Sequence, residues 1–172
     1  MLGTVLVLSL AAAAPGGAAA APTAAPRTCH LRSHAAATDP VAIRLAFFAT
    51  RLGVPPDFAL AIADHESRFN PAALSSKGAI GLMQIMPGTA AMYDAHEAAL
   101  WDPDVNMYTG LRILRDLLDQ FDGREQLAAA AYIAGPGFWT KQYPAAVGRE
   151  IEDYVSRVME LTDEYAVAVA CD

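Results

Sequence analysis

Two short strings, "TDP" at 38–40 and "WDP" at 101–103, constrain the fold more than anything else in the chain. Each places a side chain able to cap a helix, Thr38 or Asp39 in the first and Asp102 in the second, directly before a proline whose fixed φ suits the first helical position. The residues after each proline keep a helical period. After Pro40, Val41, Leu45, Phe48 and Leu52 recur on one face, and Gly53 stops the run. After Pro103, Met107, Leu111, Leu114, Leu118 and Phe121 recur in steps of four and three until "DG". "PPDFALAIADHE" starts again at Pro55 or Pro56, with Phe58, Ile62 and neighbouring alanines as its buried side and Glu66 at its C-terminal end. "REQLAAAAYIA" terminates at Gly135 with Pro136 behind it. A last helix carries Ile151, Tyr154, Val155, Val158 and Leu161 on one stripe. No period-two pattern argues for a strand. The sequence predicts one all-α domain of five or more helices.

With 172 residues, 54% of them hydrophobic and 18% charged, the chain can bury a core and is not disordered. The formal net charge of −7, with the lysines and arginines scattered, excludes a nucleic-acid groove. It also gives no electrostatic attraction to an anionic polymer, so binding one has to rest on shape and hydrogen bonds. Residues 1–28 are a different material. "LGTVLVLSLAAAA" has the length of a secretory apolar region and is followed by the Ala/Pro-rich "APGGAAAAPTAAP", although no basic stretch precedes it. The run is too short for a membrane span and breaks at Pro15 and Gly16. The expectation is an exported protein, periplasmic or secreted, with a leader over 1–28, no stable membrane span in the mature chain and one domain over 38–165. Cys29 and Cys171 are the only cysteines, one near each end of that mature chain. An oxidising compartment makes them candidate disulfide partners, two unpaired thiols being the alternative. Cys29, His30 and His34 have no second Cys/His pair nearby to complete a zinc site. No metal and no cofactor is expected.

Glu66 has two readings. One is a solvated carboxylate in a last helical turn. The other rests on its place after an apolar run: the negative end of the helix dipole and apolar surroundings both raise a carboxyl pKa toward neutrality. An acid still protonated near neutral pH is what breaking a glycosidic bond requires, because the leaving oxygen must receive a proton. The residues C-terminal to it suit a sugar-binding wall. Gly78 and Gly81 permit close backbone approach, Ser75 and Gln84 offer short hydrogen bonds, and Met83 and Met86 offer adaptable apolar contacts. Asp64 lies about 200° around the helix from Glu66 and points elsewhere. A second carboxylate would have to come from distant sequence such as Asp94, Glu97 or Asp102. His65 reads as a packed or solvated neighbour, and Tyr93, Trp139 and Tyr143 are aromatic candidates for stacking on sugars. No G-x-S-x-G, H-E-x-x-H or P-loop motif is present.

The stretch "ESRFNPAALSSKGAIGLMQIMPGTA" at 66–90 resembles the signature of the soluble, Slt-type lytic transglycosylases, whose domain has a lysozyme-like helical fold. "LWDPDVNMYTGLRILRDLLDQF", with Asn106 and Gly110, is similar to a second block of that family. "AAAAYIAGPG" and "EIEDYVSRV" are similar to a third and a fourth, in the same order, so that the resemblance covers about residues 41 to 162. It implies that Glu66 is the catalytic acid, that Ser75, Gln84 and Met86 line the cleft, that Tyr132 is close to the glutamate and that Glu150 is near a substrate-contacting position. It further implies cleavage of the β-1,4 bond between N-acetylmuramic acid and N-acetylglucosamine in peptidoglycan glycan strands, with closure of a 1,6-anhydro ring. The family block usually reads Tyr-Asn-Ala-Gly; this chain has Ile133 in place of the asparagine, and Ile151 in place of the threonine that usually comes after Glu150. Isoleucine supplies none of the asparagine's hydrogen bonds.

Two other functions fit the same residues. One is a hydrolytic muramidase on the same fold, and the other is a non-catalytic peptidoglycan-binding component of a secretion or conjugation machine. The small size also suits an enzyme that opens gaps for such an apparatus. In each case the chain is expected to act as a monomer.

Overall fold

The structure, a computed structural model, describes residues 29–31, 38–135 and 148–171. The expected leader at 1–28 and the aromatic candidates Trp139 and Tyr143 lie outside the described residues. In chain order the elements are β1 (Cys29–Leu31), α1 (Pro40–Leu52), α2 (Pro56–Ser67), α3 (Pro87–Ala91), a 3-10 turn (Glu97–Trp101), α4 (Pro103–Gln120), α5 (Glu125–Ala134), α6 (Arg149–Ala168) and β2 (Val169–Cys171). The domain is all-α, as the punctuation predicts. Asp39 accepts the Val41 N–H at 2.8 Å and so caps α1. Asp102 accepts the N–H groups of Asp104 and Val105 and caps α4. Gly53, at φ 74, closes α1 in the left-handed conformation that glycine adopts without steric cost.

Helix α2 is the axis of the core. Its six residues from Phe58 to Ala63 have no exposed surface at all, and such all-round burial requires neighbours on every side. α1 and α6 pack directly against it, and α4 and α5 complete the bundle. The buried face of α1 is rotated slightly from the one the large side chains mark. Ala42, Leu45, Ala46 and Ala49 are buried, while Val41, Phe48 and Leu52 sit at the edge. The alanines have no long side chain to hold the neighbouring helix away. On α4, Gly110 serves the same end: a Cβ there would overlap the sulfur of Met83.

Three elements have no counterpart in the sequence reading. The five-residue α3 and the 3-10 turn are too short to carry a helical period. The third is an antiparallel pair of three-residue strands, β1 with β2, too short for a period-two pattern to show. It joins the two ends of the domain with Cys29 directly opposite Cys171. Cα atoms of directly opposed antiparallel residues lie roughly 4.5–5.5 Å apart, within the span that a disulfide bridges. Among the described residues no helix is long and apolar enough to cross a membrane.

Candidate active site

The chain leaves α2 through two non-glycine residues with positive φ, Arg68 at 53° and Phe69 at 60°. L-residues rarely adopt this conformation, and such residues gather where a structure over-determines a local shape. The turn sends residues 70–86 back across the end of α2 as a compact wall. Ile80 and Ile85 exchange both backbone hydrogen bonds at 3.0 Å, and the Gly81 N–H donates to the Ala73 carbonyl at 2.8 Å. Asn106, buried on α4, pins this wall. Its Nδ2 donates to the carbonyls of Ile80 and Leu100, and its Oδ1 accepts the Met83 N–H at 2.9 Å. Gly81 has φ 77, and a Cβ there would overlap the Asn106 amide, so both its conformation and its contact call for glycine. Two more helices hold the same wall: the Ser67 hydroxyl donates to the Leu82 carbonyl and the Tyr132 hydroxyl to the Met83 carbonyl, both at 2.7 Å.

Between this wall and α5 lies a cavity of about 410 Å³. It brings together five of the residues that the sequence marks: Glu66, Ser75, Gln84, Met86 and Tyr132. Ser75 and Gln84 do more than face it. The Ser75 Oγ accepts the Ala79 N–H at 2.9 Å. Gln84, itself at φ 47, donates its Nε2 to the carbonyls of Ala73 and Gly81. Those bonds orient the amide so that its Oε1 is left for another donor. Glu150 is not drawn into the cavity wall. It stands exposed on the first turn of α6 with its Oε1 3.9 Å from the Lys77 ammonium. Ile133, in place of the family's usual asparagine, lines the cavity and is 38% exposed.

Glu66 is the only carboxyl that lines the cavity among the described residues. The alternative acids are engaged elsewhere: Asp64 accepts the Tyr165 hydroxyl at 3.0 Å, and Asp102 caps α4. Asp94 and Glu97 are not part of the cavity. Burial raises the Glu66 carboxyl from 4.5 to about 7, partly opposed by a hydrogen bond from the Tyr154 hydroxyl at 2.7 Å. The direction is the one the sequence predicts, and burial, the apolar surroundings named there, is its largest cause. Tyr154 and Tyr132 are themselves pushed well above the ordinary phenol value, by burial first and by the nearby Glu66 second, and so stay protonated donors.

Sequence reasoning missed Tyr154 as a site residue, giving it only to the buried stripe of the last helix. Its signal was that it is the one member of that stripe with a hydroxyl, which a buried position must satisfy. His65, read from the sequence as a packed or solvated neighbour, packs on the same tyrosine. This ring is exposed and meets Tyr154 edge-on, with centroids 4.6 Å apart. Burial against its neighbours lowers its pKa, Arg157 lowers it further and Asp64 opposes them. Among the described residues no group of three His, Cys, Asp or Glu side chains is arranged to hold a metal.

Known proteins are similar to this chain in sequence and in fold. The soluble lytic murein transglycosylase of Escherichia coli K12 is 41% identical over 92 residues, covering 49% of this chain and 14% of that protein. A transglycosylase of the enterobacterial phage PRD1 is 38% identical over 101 residues, covering 56% of this chain and 37% of that one. An inactive mutant of the lytic transglycosylase Slt from Pseudomonas aeruginosa superposes with a TM-score of 0.63 at 30% identity, over 77% of this chain and 24% of that one. The chain thus spans a small part of the length of these larger relatives. The all-α, lysozyme-like fold anticipated from the sequence is shared with the Slt structures of P. aeruginosa and E. coli. Residues 46–155, from α1 into α6 and including every residue that lines the cavity, match the Transglycosylase SLT domain, and the chain belongs to that family.

Proposed function

We propose that this chain is a peptidoglycan lytic transglycosylase that cleaves the β-1,4 bond between N-acetylmuramic acid and N-acetylglucosamine. The observation that carries the proposal is a carboxyl that, among the described residues, stands alone in a sugar-sized cavity and holds its proton up to about pH 7. Glu66 first gives its proton to the leaving glycosidic oxygen as the C1–O bond breaks. The N-acetyl carbonyl of the substrate stabilises the resulting cation. Glu66, now a carboxylate, takes the proton from the C6 hydroxyl, whose oxygen bonds to C1 and closes the 1,6-anhydro ring. The proton returns to the residue that supplied it, and neither water nor a second acid is consumed. Tyr154 holds the carboxylate form between the two halves through the hydrogen bond that opposes the rise in pKa. Ser75, the Gln84 Oε1 and Met86 contact the glycan, the Tyr132 ring closes the wall behind it, and Glu150 acts from the rim.

A lone acid favours this chemistry over the muramidase alternative, which needs a second carboxylate to activate water or trap the sugar. The matched Slt structure from P. aeruginosa is an inactive glutamate-to-glutamine mutant, which also supports a catalytic glutamate. The working unit is residues 38–165, monomeric and cofactor-free, acting in the periplasm or outside the cell after removal of a leader over 1–28. The phage relative favours an enzyme that serves a larger machine as readily as one that remodels the wall generally. The test is the mass of the fragments released from purified sacculi. Anhydro ends, one water lighter than reducing ends, are expected from the wild type and none from Glu66→Gln. Reducing ends would establish hydrolysis, and release by neither protein would favour the non-catalytic scaffold.

A further inference from the structure

Only two charged side chains line the cavity among the described residues, and they differ in every other respect. Glu66 is partly buried at the end of α2. Lys77 stands at the mouth with its side chain 82% exposed. The turn that carries Lys77 is rigid: the Gly78 N–H donates to the Ser75 carbonyl at 3.0 Å and the Ala79 N–H to the Ser75 Oγ at 2.9 Å. Its root is therefore fixed at the rim, while four methylenes let its ammonium swing. The ammonium leans toward Glu150 on the first turn of α6, outside the cavity wall, at 3.9 Å and with 81% of that side chain exposed. Exposed pairs at such a distance contribute little, so a carboxylate arriving in the mouth can displace Glu150 at almost no cost. In a chain of net charge −7, a cation placed there also offsets the general repulsion of an anionic ligand.

We propose that Lys77 is the anion-recognition point of this cleft, and that its ammonium takes a carboxylate carried on the lactyl arm of the muramoyl residue. The proposal rests on the peptidoglycan reading above and narrows it to a substrate class, strands whose lactyl arm is negatively charged. That carboxylate has two sources, the lactyl group itself in a strand stripped of peptide and the acidic residues of an attached stem peptide. Glu150 acts through Lys77: it holds the ammonium over the mouth and competes with the ligand for it.

The experiment compares wild type, Lys77→Gln, Lys77→Arg and Glu150→Gln on three glycan preparations: peptide-bearing strands, peptide-free strands, and peptide-free strands whose lactyl carboxylates have been converted to amides. Release of anhydro ends gives KM and kcat. Lys77→Gln is expected to raise KM about fivefold on charged strands with kcat within about twofold, and Lys77→Arg to restore it. Glu150→Gln is expected to move KM the other way, about twofold lower, which a merely structural pair would not do. Both effects shrink in high salt and vanish on amidated strands. A penalty confined to peptide-bearing strands assigns the stem as the source, and one confined to peptide-free strands assigns the lactyl group. Equal KM values for wild type and Lys77→Gln on both charged preparations overturn the proposal. Equilibrium binding of the same strands to Glu66→Gln, with and without Lys77→Gln, reads the contact without turnover. A lysine-dependent affinity there, in a chain whose wild type releases no anhydro ends, upholds the anion site while refuting the lytic reading.

Discussion

Replacing Glu66 by Gln tests the burial of the acid through stability, independently of any substrate. Glutamine keeps the shape of the side chain and keeps an acceptor for the Tyr154 hydroxyl, so the change removes little besides the titration. In the folded wild type the carboxyl holds its proton to about 7, whereas in the unfolded chain it loses it near 4.5. Between those values the folded state binds more protons than the unfolded state, so raising the pH lowers stability. The stabilising effect of the raised pKa is fully present below 4.5 and lost as pH climbs through about 7. At 1.36 kcal/mol for each pH unit the whole window corresponds to about 3 kcal/mol, and water at the open cavity mouth reduces this to about 2–3 kcal/mol. A domain of this length gains roughly 2–4 °C in Tm per kcal/mol. Glu66→Gln is therefore expected to melt roughly 5–10 °C above wild type at pH 8.5 and within about 2 °C of it at pH 4. Thermal unfolding of the two proteins at both pH values is the assay. All other titrating groups are shared by the two proteins, so only the difference between them is read. An equal gap at both pH values, or none at pH 8.5, would mean the carboxylate is well solvated, and the acid assigned to the chemistry would lose its physical basis.

The other expectations use different readouts. Tyr154→Phe removes the hydrogen bond that favours the carboxylate, so the alkaline limb of the kcat/KM profile is expected to move upward from about 7, by roughly half to one pH unit; an unmoved limb would separate Tyr154 from the acid. Asn106→Ala leaves the Met83 N–H and the Ile80 and Leu100 carbonyls without their partner. It should cost about 3 kcal/mol or more in urea unfolding, and a loss under about 1 kcal/mol would show the wall does not depend on this residue. Cys29 and Cys171 are expected to be bonded in protein recovered from an oxidising compartment, with no thiol titrating after denaturation and a loss of up to about 5 kcal/mol on reduction. Two titratable thiols would refute the bond.

How much of this could be read from the sequence depended on the range of the interaction that fixes each feature. Helix starts and stops at Asp39, Gly53 and Asp102 are decided within a few residues, and they are legible for that reason. α3 and the β1–β2 pair are not, because an element of three to five residues has too few positions to repeat. The course of 70–86 is set by Asn106 some twenty residues later and by Tyr132 nearly fifty residues later. Local propensity carries no trace of such partners. The same limit explains Tyr154, whose hydroxyl meets Glu66 across 88 positions of sequence. Glu66 was legible as an acid raised by apolar surroundings, but the hydroxyl that opposes the rise was not, since Tyr154 lies on a helix distant in sequence.

Ile133 shows how those long-range neighbours and the chemistry bear on one another. An asparagine at this place in the cavity would offer a donor and an acceptor to a sugar, or to water that solvates the carboxylate. Isoleucine offers neither, and it lines the same cavity as Glu66. In the proposed reaction, a site without those polar groups would raise the carboxyl, strengthening the proton donor of the first half and weakening the supply of carboxylate for the second. The Tyr154 hydroxyl works against that drift, because it favours the charged form from the protein side, where the substrate does not reach. The value of about 7 is thus a balance between the burial of the carboxyl and a hydroxyl supplied by α6. In the proposed reaction Glu66 gives a proton and takes one back in the same turnover, which works best with a pKa near the ambient pH, and burial and the Tyr154 hydroxyl set it there from opposite sides.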